Sequence, residues 1–481
     1  MPTYTKQDVL DKIDDISTNL HSCFTQLEAK GVTVPADSSL DDLATLIGQI
    51  PDANRPDYDL PWVMVDGSTF FTLSDTLQRT RSFFTDIELA PSAGVIWGCR
   101  STNSNQGSSS LYLNYTDTSV YSYRRLIKSL GTASQTGDVN NYAQKAWSGY
   151  PFYKKQRLAA SYLDTSTYRA SVQYNGSWTT AGSSMAQASG SQLTDMIQTV
   201  FARTTFSATG MSIDSICPAG TKVYWIGLTS GNKDTSTMQH EYVPILHWDI
   251  STGKYQPCFM KASNRNLGSY PKSTKSGWAD GTAYYIDVTQ GLTEKTGYSS
   301  GTACAYTDIP NSSTYRYVFK VAAERRNSGS TVDYMTAYDT SNGYSMRIGN
   351  NFTTSNYTRF VKSEQYGGAN YNTYTGSVGN TSVEHFLGVD FANKSMFEVM
   401  NTLTANQSTY TITVPDAPDS ARGKLCIYKP HSSTYKDALY SVMIYEGDAL
   451  IHYLVWCGKS GATYGVFYDC VTKKTYSISI P

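Results

Sequence analysis

Two hydrophobic periods divide the chain. Over residues 5–30, apolar or small side chains recur at Val9, Ile13, Ile16, Leu20, Cys23 and Leu27. The steps alternate between four and three, the a/d pattern of a heptad repeat, and predict a helix with one apolar seam. Asp8, Asp11, Asp14 and Asp15 load its first half with negative charge, which suits a helix N-terminus. Gly31 is placed to stop the helix as a left-handed glycine, and Pro35 enforces an extended stretch. Ser38 or Ser39 then caps a short second helix through Leu40, Leu43, Leu46 and Ile47, which Pro51 ends. Two partners fit the seam. One is further copies of the same helix, forming a trimeric stalk. The other is the 40–50 helix of the same chain, folded back as a hairpin. About three heptads are short for an isolated coiled coil. The self-association reading, through Val9, Ile13, Ile16, Leu20, Cys23 and Leu27, is adopted.

After a Pro/Asp-rich linker over residues 52–61, the period changes to that of short strands. Segments 70–73, 82–89, 95–99 and 111–115 alternate aromatic or β-branched residues with polar ones, and turn residues separate them. Regular short strands with such turns predict antiparallel β-sandwiches. Self-comparison then suggests two copies. Trp248-Asp249-Ile250-Ser251-Thr252-Gly253-Lys254-Tyr255 is echoed, with one extra residue, by Tyr468-Asp469-Cys470-Val471-Thr472-Lys473-Lys474-Thr475-Tyr476. The common chemistry is a hairpin in which Asp caps the turn and Gly or Lys takes its tight position. Asp249 and Asp469 are therefore read as structural. The organisation expected is a helical segment at 1–51, the linker at 52–61, a β-domain at 62–265, a connector at 266–296 and a second β-domain at 297–481. Residues 284–288 in the connector are able to add a strand to either domain.

Composition sharpens this picture. Of 481 residues, 38 are Tyr, and Ser, Thr, Asn and Gly are abundant, as half-buried strands and their turns require. Charged residues make up 16% and the formal net charge is −1, so no global field draws the chain to nucleic acid or an anionic membrane. No apolar run approaches the ~18 residues of a membrane span, and no secretory leader is expected. The eight cysteines form no C-x-x-C pair, so neither a zinc site nor a redox motif is expected, and buried free thiols are.

Two stretches resemble known families. Lys30-Gly31-Val32-Thr33-Val34-Pro35, followed by Leu40, Leu43, Leu46 and Ile47 and closing at Ile50-Pro51, resembles the N-terminal module of many bacteriophage tail and fibre proteins. The opening Gly297-Tyr298-Ser299-Ser300-Gly301-Thr302 with Tyr315-Arg316-Tyr317-Val318-Phe319-Lys320, and the close at 440–448 and Tyr468-Asp469, resemble concanavalin-A-like, laminin-G-type jelly rolls. The first copy is the weaker match and departs at Gln239-His240-Glu241. These resemblances imply a virion structural protein made in the bacterial cytoplasm. It would attach to other virion proteins through residues 1–50, form a homotrimer and present two tandem jelly rolls of a type often used for glycan or surface binding.

Catalytic patterns are weak by comparison. Glycosidic chemistry on this type of fold needs carboxylates sharing a strand face. Glu241 and Asp249 are too widely spaced for that, as are Glu384 and Asp390, which have His385 between them. No nucleophile elbow, P-loop or dinucleotide fingerprint stands out, and the histidines are read as structural. Sugar recognition needs aromatic faces beside amide and hydroxyl groups. Tyr366, Tyr371 and Tyr374, within the run 366–374, and Trp178, after Asn175-Gly176-Ser177, have that content and are expected in loops. The expectation is a non-enzymatic tail-fibre, baseplate or head-fibre component that binds a host-surface glycan, without cofactor or metal. The alternatives are an architectural decoration protein with no ligand and, further off, a polysaccharide depolymerase.

Overall fold

The computed structural model of the chain describes residues 5–29, 32–48, 55–73, 82–101, 109–126, 139–147, 149–162, 167–174, 177–180, 185–186, 196–207, 210–229, 238–249, 252–273, 281–295, 304–322, 330–339, 343–352, 356–365, 368–377, 384–400, 408–411, 424–430, 437–461 and 465–479. The protein is mainly β-sheet with a short helical N-terminal segment. Two compact units form: Met1–Asp59 with Ile245–Cys258, and Leu60–Pro244 with Phe259–Pro481.

In the first unit the helix Lys6–Ala29 carries the heptad seam. Asp8 accepts hydrogen bonds from the Thr5 N–H and hydroxyl at its start, which satisfies an otherwise orphaned donor. The Val32 N–H donates to the Leu27 carbonyl, and the chain turns back. Ser39 starts the second helical segment, with the Asp42 carboxylate accepting from its N–H at 2.8 Å and its hydroxyl at 2.9 Å. Gly31 lies outside the described residues. Part of the expected linker is tied down. Tyr58–Asp59 pairs with Leu246 and Ile245, the Arg55 guanidinium sits 4.0 Å over the Trp248 ring, and His247 Nδ1 is 2.7 Å from Asp57.

In the second unit one strand topology occurs twice. The first copy has two rows of strands, which include the continuations of the 240–261 hairpin. One row runs Ser177–Thr180, Thr167–Tyr174, Lys155–Tyr162, Ser82–Glu88, Lys222–Thr229, His240–Asp249, Lys254–Lys261. The other runs Pro271–Ser273, Thr69–Leu73, Met196–Val200, Gly94–Ser101, Ser109–Tyr115, Ser119–Leu126, Val139–Ala146. The second copy repeats the order as one continuous, curled sheet. Its first half runs Ser408–Thr411, Ser395–Met400, Glu384–Asp390, Tyr315–Ala322, Ala438–Glu446, Ala449–Lys459, Val466–Asp469. Its second half runs Thr475–Ser479, Cys304–Pro310, Lys424–Pro430, Ser330–Asp339, Gly343–Phe352, Asn356–Gln365, Gly368–Ser377. Each strand keeps its rank along the chain as well as in the sheet. The hairpin Ala202–Ser207 with Gly210–Ile216 belongs to the first copy alone.

Alternation places apolar residues of both rows inward. Phe83 stacks on Trp97 at 5.0 Å, and Phe71 meets Phe259 edge-on at 4.8 Å, each pair joining strands of different rows. In the second copy Tyr317, Phe319, Leu387, Val442, Met346 and Ile427 share one buried cluster. At about 25 cal/mol per Å² of apolar surface removed from water, such clusters dominate the favourable side of folding. Between the copies, Ala283–Tyr284 pairs with Val63–Val65, while Leu292–Glu294 pairs with Lys459, Gly458 and Cys457. The 266–296 segment thus adds strands to both copies. Among the described cysteines, Cys217, Cys258, Cys304, Cys426, Cys457 and Cys470 are buried, Cys23 is exposed, and no disulfide joins them.

The repeated hairpin motif is one hairpin out of register with this topology. Strand order makes Val466–Asp469 equivalent to Lys254–Lys261, so Asp469 corresponds to Lys261 and not to Asp249. Backbone bonding agrees. Arg265 N–H donates to the Lys261 carbonyl, and Lys473 N–H to that of Asp469, both at 2.8 Å. Arg265 and Lys473 have left-handed φ values of 57° and 61°. Ala262 bonds to Glu241 as Cys470 bonds to Tyr453, again both at 2.8 Å. The motif misleads because Asp249 makes the same kind of turn. Thr252 donates to its carboxylate, and Gly253, at φ 63°, donates to its carbonyl. An Asp-x-x-Thr turn with a left-handed fifth residue marks a turn type and not a place in the fold.

Candidate functional site

The helical seam splits into two parts. Val9, Ile13 and Ile16 are 51%, 55% and 57% exposed, and Leu10 beside them is 43% exposed. Leu20 is half-buried and Cys23 is exposed. Leu27 is buried with Val32 and Leu46, and Phe24, Val34 and Leu43 pack against that cluster. The fold-back onto the second helix therefore covers the C-terminal turn of the seam. Val9, Leu10, Ile13 and Ile16, about two turns of helix, remain in solvent within the chain. Large aliphatic side chains in a contiguous exposed row are the unusual observation, since each forgoes about half of the roughly 1.5–3 kcal/mol that full burial is worth. Leu10 and Phe24 were not among the seam positions expected from sequence. Their place one residue after a d position widens the apolar face.

The candidate ligand aromatics lie apart. Trp178 is on the strand Ser177–Thr180, opposite Gln173. Tyr371 and Tyr374 are on Gly368–Ser377, the end strand of the fifteen-stranded sheet, opposite Lys362 and Arg359. They occupy strand positions and not the loop expected for them, and Tyr366 lies outside the described residues. A ten-residue pairing between Asn356–Gln365 and Gly368–Ser377 accounts for this. Tyr and Thr suit strands, and the Gly and Asn there do not interrupt it.

A different aromatic site emerges on the outward side of the first copy. Register aligns Arg157, Asp86 and Trp225 across three neighbouring strands, with Glu241 opposite Gly227 on a fourth. Arg157 donates to both Asp86 oxygens at 2.5 and 2.8 Å, a bidentate fork. That hydrogen bond is the main reason the guanidinium pKa rises, and burial opposes it. The guanidinium lies 4.6 Å from the Trp225 ring centroid, and Trp225 Nε1 donates to Glu241 at 3.2 Å. A Cβ on Gly227 would lie 2.4 Å from the Trp225 ring, so only glycine leaves room for that ring. Beside it, Lys155 Nζ sits 4.3 Å over the Tyr224 ring. This half-exposed row combines an aromatic ring with fixed donors and acceptors, the mixture that recognises a hydroxylated ring. A glycine two residues from a tryptophan within one strand is the sequence signal that points to it.

The carboxylates considered for catalysis have other partners. Glu241 holds the Trp225 indole, and Asp249 accepts from Thr252 and Gln256. Glu384 pairs with Lys320 at 3.3 Å, and Asp390 accepts from the backbone and side chain of Asn393. His452 Nδ1 is 2.7 Å from Asp469, and His385 Nε2 is 3.8 Å from Glu398. Among the described residues, no group of three or more His, Cys, Asp or Glu side chains is placed to hold a metal ion.

No protein-family model matches the chain, and no curated protein does. Among solved structures, domains LG4-5 of the mouse laminin alpha1 chain are similar at 9% identity and a TM-score of 0.28, over 80% of this chain and 89% of that one. Sheep galectin-11, in complex with glycerol, is similar at 11% identity and a TM-score of 0.20, over 32% of this chain and 100% of that one. A bifunctional GH43-CE protein from Bacteroides eggerthii is similar at 7% identity and a TM-score of 0.21, over 81% of this chain and 63% of that one. Likenesses of this size carry no argument about activity or ligand.

Proposed function

We propose that the chain is a non-enzymatic structural protein of a bacteriophage particle, a tail-fibre, baseplate or head-fibre component. It self-associates through its N-terminal helix and displays two tandem jelly-roll β-sandwich domains of the concanavalin-A-like, laminin-G type. The observation that carries this reading is the solvent-exposed row Val9, Leu10, Ile13 and Ile16 on a heptad repeat. Ile13, Leu20 and Leu27 take the a positions, and Val9, Ile16 and Cys23 the d positions. Ile13 and Leu20 at a around Ile16 at d favour three or four strands over two. Asp8, Asp11, Asp14 and Asp15 fall at b, c and f, so parallel copies meet without carboxylates facing each other across the seam. The phage setting and the attachment of residues 1–50 to other virion proteins rest on the resemblance of residues 30–51. No helix among the described residues is long and apolar enough to cross a membrane.

Parallel, in-register helices bring the Cys23 thiols of neighbouring chains together in a d layer. Mild oxidation of the full chain is expected to give a covalent dimer on non-reducing gels, and Cys23→Ser to abolish it. Only single chains after oxidation, with Cys23 still titratable, would count against parallel association.

The display role includes binding a host-surface glycan, and the Trp225 row is the described surface best suited to it. Retention of the full chain on host envelope polysaccharide is expected to weaken on the order of tenfold in Trp225→Ala, about the contribution of one aromatic platform. Retention of neither protein would favour the architectural reading, a decoration protein with no ligand.

A further inference from the structure

One pair of positions that the topology makes equivalent is buried in the first copy and half-buried in the second, and its chemistry differs between them. In the first copy, Val223 pairs with Ile87 and Trp225 with Asp86, leaving Tyr224 as a bulge. In the second, Leu439 pairs with Val321 and Ser441 with Lys320, leaving Tyr440 as the bulge. The next pair along is Lys222 with Glu88 in the first copy and Ala438 with Ala322 in the second. The same fold therefore accepts either an ion pair or two methyl groups there.

The ion pair is almost fully enclosed. The Lys222 and Glu88 side chains are each 5% exposed, with Nζ 3.4 Å from the carboxylate. Removing both charges from water costs several kcal/mol per ion, to order of magnitude, and needs further partners. Tyr224 donates to Glu88 at 3.1 Å. The other partners come from both copies and the segment that joins them. The ammonium lies 4.7 Å from the ring of Tyr453 and 4.9 Å from that of Trp62. Trp62 packs on Tyr453 at 5.7 Å and donates its indole N–H to Glu294 at 3.0 Å, and Glu294 pairs with Cys457 of the second copy. Burial pulls the Lys222 pKa down, but Glu88, Tyr224 and Glu294 more than reverse this, and the amine is held charged.

We propose that Lys222 with Glu88 is an interdomain latch, in which the ammonium of the first copy is the group that the Tyr453 ring of the second copy recognises, with Trp62 of the first copy and Glu294 of the connecting segment bracing that ring. It fixes the two copies as one rigid body in a single orientation. The second copy has alanines at the matching place, and both are half-buried there. Neighbouring contacts have the same sense. Tyr153 stacks on Phe386 at 5.1 Å, and a Cβ on Gly220 would lie 2.6 Å from the Tyr445 hydroxyl. This inference is independent of the phage assignment.

The test is calorimetry on the full chain and on Glu88→Ala/Lys222→Ala, which installs the alanine pair of the second copy. The wild-type sheets are expected to melt in one transition. The double variant is expected to fold and to melt in two, because the first copy keeps a pair its topology tolerates while the second loses its ligand. Tyr453→Leu is expected to split the transition likewise from the other side, and Tyr453→Phe, which keeps the ring, to leave it single. Two transitions in the wild type would overturn the latch. So would a single, unshifted transition in both the double variant and Tyr453→Leu. If one of these two variants fails to fold, the other decides on the same criterion.

Discussion

Asp469→Ala is expected to destabilise the second copy by about 3–5 kcal/mol, the range for stranding the partners of a buried charged group. The carboxylate is fully buried at the turn where the strand order passes from one half of the curled sheet to the other. It accepts from the N–H groups of Tyr453 and Val471, both at 3.1 Å, from the Thr472 hydroxyl at 2.7 Å, and it lies 2.7 Å from His452 Nδ1. Alanine leaves these groups facing a dry void, which costs more than the bonds were worth in exchange with water. Asp469→Asn keeps much of the shape and is expected to cost roughly 1.5–3 kcal/mol, the value of hydrogen bonds to a charged group. The same carboxylate gives a pH dependence. Burial raises its pKa, but His452, Thr472 and Tyr453 together bring it below the ordinary aspartate value. A group with a depressed folded pKa adds stability that is present above its unfolded value and lost as pH falls through the folded one. The urea midpoint is therefore expected to fall on acidification below about pH 4, and to fall less in Asp469→Asn. A midpoint equally acid-sensitive in that variant would remove Asp469 from the explanation.

Ile13→Asp/Ile16→Asp is expected to abolish self-association and leave the sheets intact. Both residues are more than half exposed within the single chain, so folding within the chain loses little when they become polar. In an assembled seam each substitution would place one carboxylate per chain in a layer that excludes water, where like charges cannot all remain ionised. Thr18→Asp, at the outward f position, is the control and is expected to change nothing. The far-ultraviolet spectrum and sheet melting should be common to all three proteins. If the double variant stays assembled, the contacts that hold the chains together lie in the β-units.

How far the sequence discloses this molecule depends on the range of the interaction. The seam at Val9, Ile13, Ile16, Leu20, Cys23 and Leu27 is a local period, so its helix is legible, and Lys6–Ala29 follows the expected bounds closely. Its division is not legible, because Leu27 is buried by Val32 and Leu46 across a reversal of the chain. Repetition is visible in turn residues, but the Asp249 and Asp469 turns use the same chemistry at different ranks. Strand order and backbone bonding, and not the motif, pair Asp469 with Lys261. Segment 366–374 reads as a loop from its Gly and Asn content, yet pairing with Asn356–Gln365 makes most of it a strand. Lys222 and Glu88 have no signature at all. They are 134 residues apart, and the Tyr453 ring and Glu294 carboxylate that help make them tolerable come from still farther along the chain.

The central claim is that the N-terminal helix assembles copies of this chain. The most direct measurement is the mass of the intact protein in solution by light scattering across a range of concentrations. Three times the 53.0 kDa chain mass is expected, falling to one chain in Ile13→Asp/Ile16→Asp. A full-length wild-type protein that stays at 53.0 kDa at every concentration would contradict the account.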